Sequence, residues 1–258
     1  MGANVGWRAG GFVAGLVCGA LIVTTVPKKP SGPDIHAEYV KFLSGQDSIT
    51  GYLAYPERST PGPAIVMIHE IFGMSDFVRE SAERLAKEGF VVLAPDLLSR
   101  RGGTPASADS ARRLIASLNP DTLTKDLDAA VAYVRGLKSV KADRIGVIGF
   151  CWGGGESFRY ATNNASIKAF VVCYGPRPNL ADISRIRAAG LGIYADKDVR
   201  INSDLYDVTM WTAKNHVEYE FKVYPGVGHG FLRTAEKPKV VAQAWDNVTK
   251  FFRRVLGT

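Results

Sequence analysis

The chain has 258 residues, 46% of them hydrophobic and 22% charged, with a formal net charge of +7. That is enough apolar material for one well-buried domain plus a short extension, and too much for a disordered chain. Lys and Arg are interleaved with acids, with doublets such as Lys28-Lys29 and Arg100-Arg101 but no stripe, which excludes a nucleic-acid footprint and leaves a mild preference for anionic substrates.

Ala9 to Val26 is an uncharged stretch of 18 residues between Arg8 and Lys28. As a helix it would span about 27 Å, close to the ~30 Å of a bilayer's hydrocarbon core. Gly11, Gly15 and Gly19 would lie on one face of it, as in close-packed membrane helices. The segment is expected to be a retained membrane anchor or a cleaved secretory signal, which makes the protein membrane-anchored or exported. Lys28 to Pro33 reads as a short, stiff linker. The predicted division is residues 1–33, hydrophobic segment and linker, and residues 34–258, a single folded domain.

In that domain, Ala37 to Leu43 and Ile49 to Tyr55 predict an antiparallel pair around Gly45-Gln46-Asp47. Ala64 to His69 is a continuous apolar run, the mark of a strand covered on both faces. Further strands are predicted at Phe90–Pro95, Arg144–Phe150, Ala169–Tyr174, Leu191–Tyr194 and Val217–Val223. Helices alternate with them. Ser75 or Asp76 is the candidate N-cap of the first. Asp121 to Leu137 places Leu123, Leu127, Ala130, Val131 and Val134 on one face, and Ala242 to Val255 does the same with Ala242, Trp245, Val248 and Phe252. Strand–helix alternation with right-handed crossovers predicts an α/β fold with a mostly parallel, doubly wound sheet flanked by helices.

The chemistry concentrates at Gly149-Phe150-Cys151-Trp152-Gly153-Gly154, between a predicted strand and a predicted helix. A reactive side chain flanked by glycines at a strand-to-helix turn is the nucleophile elbow of an α/β-hydrolase, here carrying Cys. Its neighbours are the unpaired N–H groups of the helix start, expected to favour a thiolate. Of the three cysteines, Cys18 lies in the N-terminal stretch and Cys173 in an apolar run, so no disulfide framework is expected. In this fold the acid and the histidine follow the nucleophile. Asp196 and Asp198 close one strand and compete for the acid role. His229 sits in Gly226-Val227-Gly228-His229-Gly230, on a loop free to swing over the elbow; His36, His69 and His216 fit less well. The loop after Ala64–His69 is where such a fold keeps its second oxyanion donor, which assigns the oxyanion hole to the N–H groups of Trp152 and Ile71.

With these motifs in this order, His69-Glu70-Ile71-Phe72-Gly73, the Cys151 elbow, Tyr194 through Asp198 and Gly228-His229-Gly230-Phe231, the chain resembles the dienelactone hydrolase family, the carboxymethylenebutenolidases. The resemblance runs from about His36 to the C-terminal helix. It implies Cys151 as nucleophile, His229 as base and Asp198, rather than Asp196, as the orienting acid. It also implies that Glu70 contacts the resting thiol and is released when substrate binds. Arg233 matches a family arginine that pairs with this glutamate or with a substrate carboxylate, and Arg112 or Arg113 is the candidate for a second. Phe72, Trp152, Tyr174 and Phe231 are expected to line the pocket.

The resulting expectation is hydrolysis of an ester or enol-lactone through a covalent thioester, with no cofactor and no metal. The partner would be a small ester or lactone, carboxylate-bearing ones included. Membrane association, if any, would run through residues 9–26. A general carboxylesterase or lipid or polyester hydrolase at the cell envelope, and a non-catalytic membrane-tethered binding protein on the same scaffold, are the alternatives.

Overall fold

Ile65 to Ile68, Val91 to Ala94, Val147 to Phe150 and Ala169 to Cys173 are all buried, with no solvent-facing side. Such runs are stable in a sheet covered on both faces. In the computed structural model, which describes residues 1–3, 34–234 and 236–257, they form the centre of an eight-stranded sheet. β1 (Ile35–Ser44) and β2 (Asp47–Pro56) make the antiparallel hairpin. β3 (Gly62–Ile68), β4 (Val91–Pro95), β5 (Val140–Phe150), β6 (Ala169–Cys173), β7 (Ala189–Ala195) and β8 (Tyr219–Tyr224) follow. The spatial order is β1-β2-β4-β3-β5-β6-β7-β8, with β2 antiparallel to β4 and the strands from β4 to β8 mutually parallel.

The chain winds from β3 outward to β4, then returns to lay β5 on the other side of β3. The ends of β3 and β5 therefore flank a switch point, where no crossover covers the sheet edge and ligands have access. Glu70 and Cys151 follow those two ends.

The helices are α1 (Asp76–Lys87), α2 (Ala108–Ala116), α3 (Pro120–Gly136), α4 (Trp152–Asn163), α5 (Val199–Asn202), α6 (Leu205–Lys214) and α7 (Pro238–Leu256). One core layer lies beneath α1 and α7, around Val78, Leu85, Trp245 and Phe252. The other lies beneath α3, α4 and α6, around Leu127, Val134, Phe158 and Val208. Arg100 staples the hairpin to α3: its Nη2 donates to Asp126 at 2.8 Å and to the Ser44 carbonyl at 3.0 Å, and its Nη1 to Asp47.

Boundaries shift where caps decide them. α3 starts at Pro120 because Asn119 Oδ1 accepts from the N–H groups of Asp121 and Thr122. α7 starts at Pro238, four residues before the predicted Ala242, again with proline in the first turn. β5 begins at Val140 rather than Arg144, since Val140 pairs with Gly62 ahead of a polar stretch. Ser75 occupies the N-cap of α1, but its hydroxyl is buried without a partner and makes no capping bond. The apolar segment 9–26, its three glycines, Cys18 and the 28–33 linker lie outside the described residues. Among the described residues, no helix is long and apolar enough to cross a membrane.

Candidate active site

Cys151 stands between β5 and α4 with φ 55° and ψ −118°, a left-handed conformation that costs a non-glycine residue about 1–3 kcal/mol. The surroundings enforce it. A Cβ on Gly149 would overlap the Gly153 carbonyl, and one on Gly153 would overlap the carbonyls of Ile68 and His69. Both glycines of the elbow are required by close approach of backbone. The strained turn leaves the Cys151 side chain half-buried at the switch point.

His229 reaches it from the loop after β8, with Nε2 3.0 Å from Cys151 Sγ. Its Nδ1 lies 2.5 Å from Asp198 Oδ2, and Asp198 is almost fully buried at the end of β7. Asp196 takes a different position. Its carboxylate accepts from the N–H groups of Gly226, at 2.7 Å, and Val227, at 3.1 Å. These bonds hold its carboxyl below the usual range, and they pin the loop that carries His229. The loop is anchored at its base.

The thiol's electrostatics also depart from expectation. Burial pushes the Cys151 thiol up, and the Trp152 N–H only partly offsets this. Glu70 and Asp198 add to the rise, while Arg200 opposes it. Desolvation and two carboxylates outweigh the Trp152 N–H, so the surroundings favour the protonated thiol.

Trp152 opens α4, and neither its N–H nor that of Ile71 has a main-chain acceptor among the described residues. The Trp152 N–H instead faces the Cys151 sulfur. Behind them, fully buried His69 organises the loop. Its Nε2 accepts from the Leu97 N–H at 3.2 Å, so its Nδ1–H donates to the Glu70 carbonyl at 2.8 Å. Its ring stacks on Trp152 with centroids 5.7 Å apart. Burial pushes its pKa down, which keeps the ring neutral.

Glu70 is 2% exposed, and its Oε2 makes no hydrogen bond. Arg233 Nε lies 3.4 Å away, an ion pair without hydrogen-bond alignment. The expected resting contact between Glu70 and the thiol is not made; the thiol faces His229 instead. Burial holds the Glu70 carboxyl above its ordinary value, with Arg233 opposing. Phe72 lies between two cations: Arg233 Cζ is 4.7 Å and Arg112 Cζ 4.9 Å from its ring centroid. Arg113 bonds Ser110 on an exposed helix face instead. Phe231 and Tyr174, expected in the pocket wall, are core residues at 2% and 0% exposure. Phe231 packs on Tyr174 and Tyr224, and the Tyr174 ring meets His229 edge-on at 5.2 Å. Tyr174 thus backs the histidine, and Phe231 in turn packs on Tyr174.

The Dienelactone hydrolase family profile matches residues 49–256. The chain belongs to the dienelactone hydrolase family. A protein of Methylorubrum extorquens named "Putative carboxymethylenebutenolidase" is 30% identical over 248 residues, covering 90% of this chain and 84% of that one. A Bradyrhizobium protein named "Probable 2-oxo-3-(5-oxofuran-2-ylidene)propanoate lactonase" is 30% identical over 235 residues, 85% of this chain and 94% of its own. The crystal structure of a "Putative Dienelactone Hydrolase" from Klebsiella pneumoniae superposes with a TM-score of 0.79 at 25% identity, over 86% of this chain and 99% of that chain.

For this dienelactone hydrolase family member, the motifs located the residues that meet at the switch point. They missed His69, set aside because it precedes the elbow, although its place at the end of an apolar strand marked it as buried. They also missed the part played by Asp196. A carboxylate followed by another two positions on gave no signal of which would face the ring and which the glycine loop.

Proposed function

We propose that the protein hydrolyses an ester or enol-lactone with Cys151 as nucleophile, His229 as general base and Asp198 as the group that orients the imidazole. The observation that carries this reading is the unbroken relay from Asp198 Oδ2 through the imidazole to Cys151 Sγ, at 2.5 and 3.0 Å. His229 Nε2 takes the thiol proton as sulfur attacks the carbonyl carbon, and Asp198 stabilises the imidazolium. The resulting oxyanion falls to the N–H groups of Trp152 and Ile71. Collapse breaks the carbon–oxygen bond, the leaving oxygen takes the proton from Nε2, and a thioester remains on Cys151. Water, deprotonated by His229, then releases the acid and restores the thiol.

A thiol kept protonated at rest suits this scheme, because the proton moves only when an acyl group is in place. Arg233 and Arg112, held against Phe72, form the binding element for a substrate carboxylate. Such a group would draw Arg233 from Glu70 and loosen the ion pair that holds the buried glutamate beside the thiol. The names of the Methylorubrum and Bradyrhizobium relatives support a lactone as substrate. The apolar run Ala9–Val26 favours a second reading, a broader carboxylesterase held at or exported across a membrane. Turnover of a cis-dienelactone against p-nitrophenyl acetate separates the two. Preference for the lactone, lost in Arg233→Ala, supports the first; equal use of both, unaffected by Arg233→Ala, supports the second. Folded protein inactive on both, with no acyl adduct on Cys151 by intact mass, would overturn the enzymatic reading.

A further inference from the structure

Exposed large apolar side chains gather at one end of the sheet. Of seven among the described residues 34–234 and 236–257, five belong to α5, α6 and β8: Val199, Tyr206, Met210, Phe221 and Val223. β8 is the terminal strand and pairs with β7 alone. The Gly190 N–H donates to the Glu218 carbonyl and the Asp196 N–H to the Tyr224 carbonyl. Even-numbered residues of β8 therefore turn their peptide groups toward β7, and Tyr219, Phe221 and Val223 turn theirs to the open edge. Side chains alternate as well. Tyr219 joins the core beneath α6 and Tyr224 the core beneath α7. Phe221 and Val223 thus project on the α6 face, and Glu220 and Lys222 on the α7 face.

An open strand of this kind is a template for another strand, and a charge along it normally blocks that pairing. Here two opposite charges stand one residue either side of Phe221. We propose that β8 pairs antiparallel with β8 of a second copy of this chain, about a two-fold axis through Phe221, so that two sheets become one. In that register Phe221 opposes its own copy and Tyr219 opposes Val223, and these are the residues whose peptide groups point outward, so each pair exchanges two hydrogen bonds. Glu220, whose Oε1 also accepts from Arg254 Nη2 at 2.6 Å within its own chain, then opposes Lys222 of the copy in the non-hydrogen-bonded positions, where Cα atoms approach to about 4.5 Å. Parallel in-register pairing would set Glu on Glu and Lys on Lys, and an axis through either charged residue would set that charge on itself. The charge pattern favours the register through Phe221, the one that pairs both opposite charges and makes the edge self-complementary, as a two-fold interface requires.

The test uses the full chain in detergent micelles, with mass read by light scattering and sedimentation equilibrium. Wild type is expected to show a concentration-dependent monomer–dimer equilibrium. Lys222→Glu and Glu220→Lys, each placing like charges opposite one another, are each expected to be at least tenfold weaker and monomeric over the same range. An equimolar mixture of the two variants restores both complementary pairs, and dimers reappear as heterodimers. Unchanged far-ultraviolet circular dichroism shows that the single variants fold. A wild type that stays monomeric to its solubility limit overturns the proposal. So does a Lys222→Glu variant that dimerises like wild type, which would put the contact elsewhere, or a mixture that remains monomeric.

Discussion

Cys151 is held by two opposing demands, a backbone strained to expose its sulfur and surroundings that keep that sulfur protonated. Since burial, Glu70 and Asp198 all raise its pKa, alkylation of Cys151 by iodoacetamide should quicken as pH rises past neutrality. Glu70→Gln removes one of the two carboxylate charges, so the thiolate forms at lower pH and neutral-pH alkylation should be several-fold faster. An unchanged rate would mean that Glu70 has no hold on the thiol. On the proposed chemistry, Asp198→Asn leaves the ring in place but fixes the wrong tautomer. Turnover should fall by about 10⁴-fold with little change in KM, by analogy with the serine-protease triad from which that magnitude is taken. The Asp198 effect acts through His229, whose two ring nitrogens are committed to Asp198 and Cys151.

Elements matter here chiefly as the means of bringing distant residues together. The β8–α7 loop carries His229, and Asp196, at the end of a neighbouring strand, ties its base down through Gly226 and Val227. Asp196→Ala should therefore lower kcat while leaving the far-ultraviolet spectrum unchanged, because the loop loses its anchor and the sheet does not. Urea titration checks two further contacts. Gly149→Ala drives a methyl into the Gly153 carbonyl at the elbow and should cost about 1–3 kcal/mol or more. Arg100→Ala leaves the buried Asp126 carboxylate unpaired and frees the hairpin turn, at about 3 kcal/mol.

For the molecule as a whole, stability against pH has two opposed contributions with known signs. Glu70 titrates above its unfolded value, so the folded state holds that proton more tightly. Its contribution is full below the unfolded pKa and is lost as pH rises through the folded one. Asp196 titrates below its unfolded value, so its contribution is present above the unfolded pKa and lost as pH falls through the folded one. Comparing urea midpoints from pH 4 to pH 8, Glu70→Gln should gain on wild type as pH rises; a constant difference would rule out a raised carboxyl.

The order of strands and helices was legible in the chain because buried strands read as unbroken apolar runs and surface helices as stripes. So were the elbow glycines and the sequence of nucleophile, acid and histidine, since a turn that tight admits few residue types. Caps and pairing partners moved the boundaries: Asn119 and Pro238 set helix starts, and Gly62 drew Val140 into β5. Spacing alone left Asp196 and Asp198 level and the family resemblance chose Asp198; three-dimensional packing decided what Asp196 does instead, which of Arg112 and Arg113 flanks Phe72, and that Phe231 is core rather than pocket lining. It also decided that burial and two carboxylates push the sulfur's pKa up, against the lowering expected from a helix start. Those outcomes depend on distances between segments remote in sequence and on how much water each group keeps, and neither quantity is encoded in any local stretch of residues.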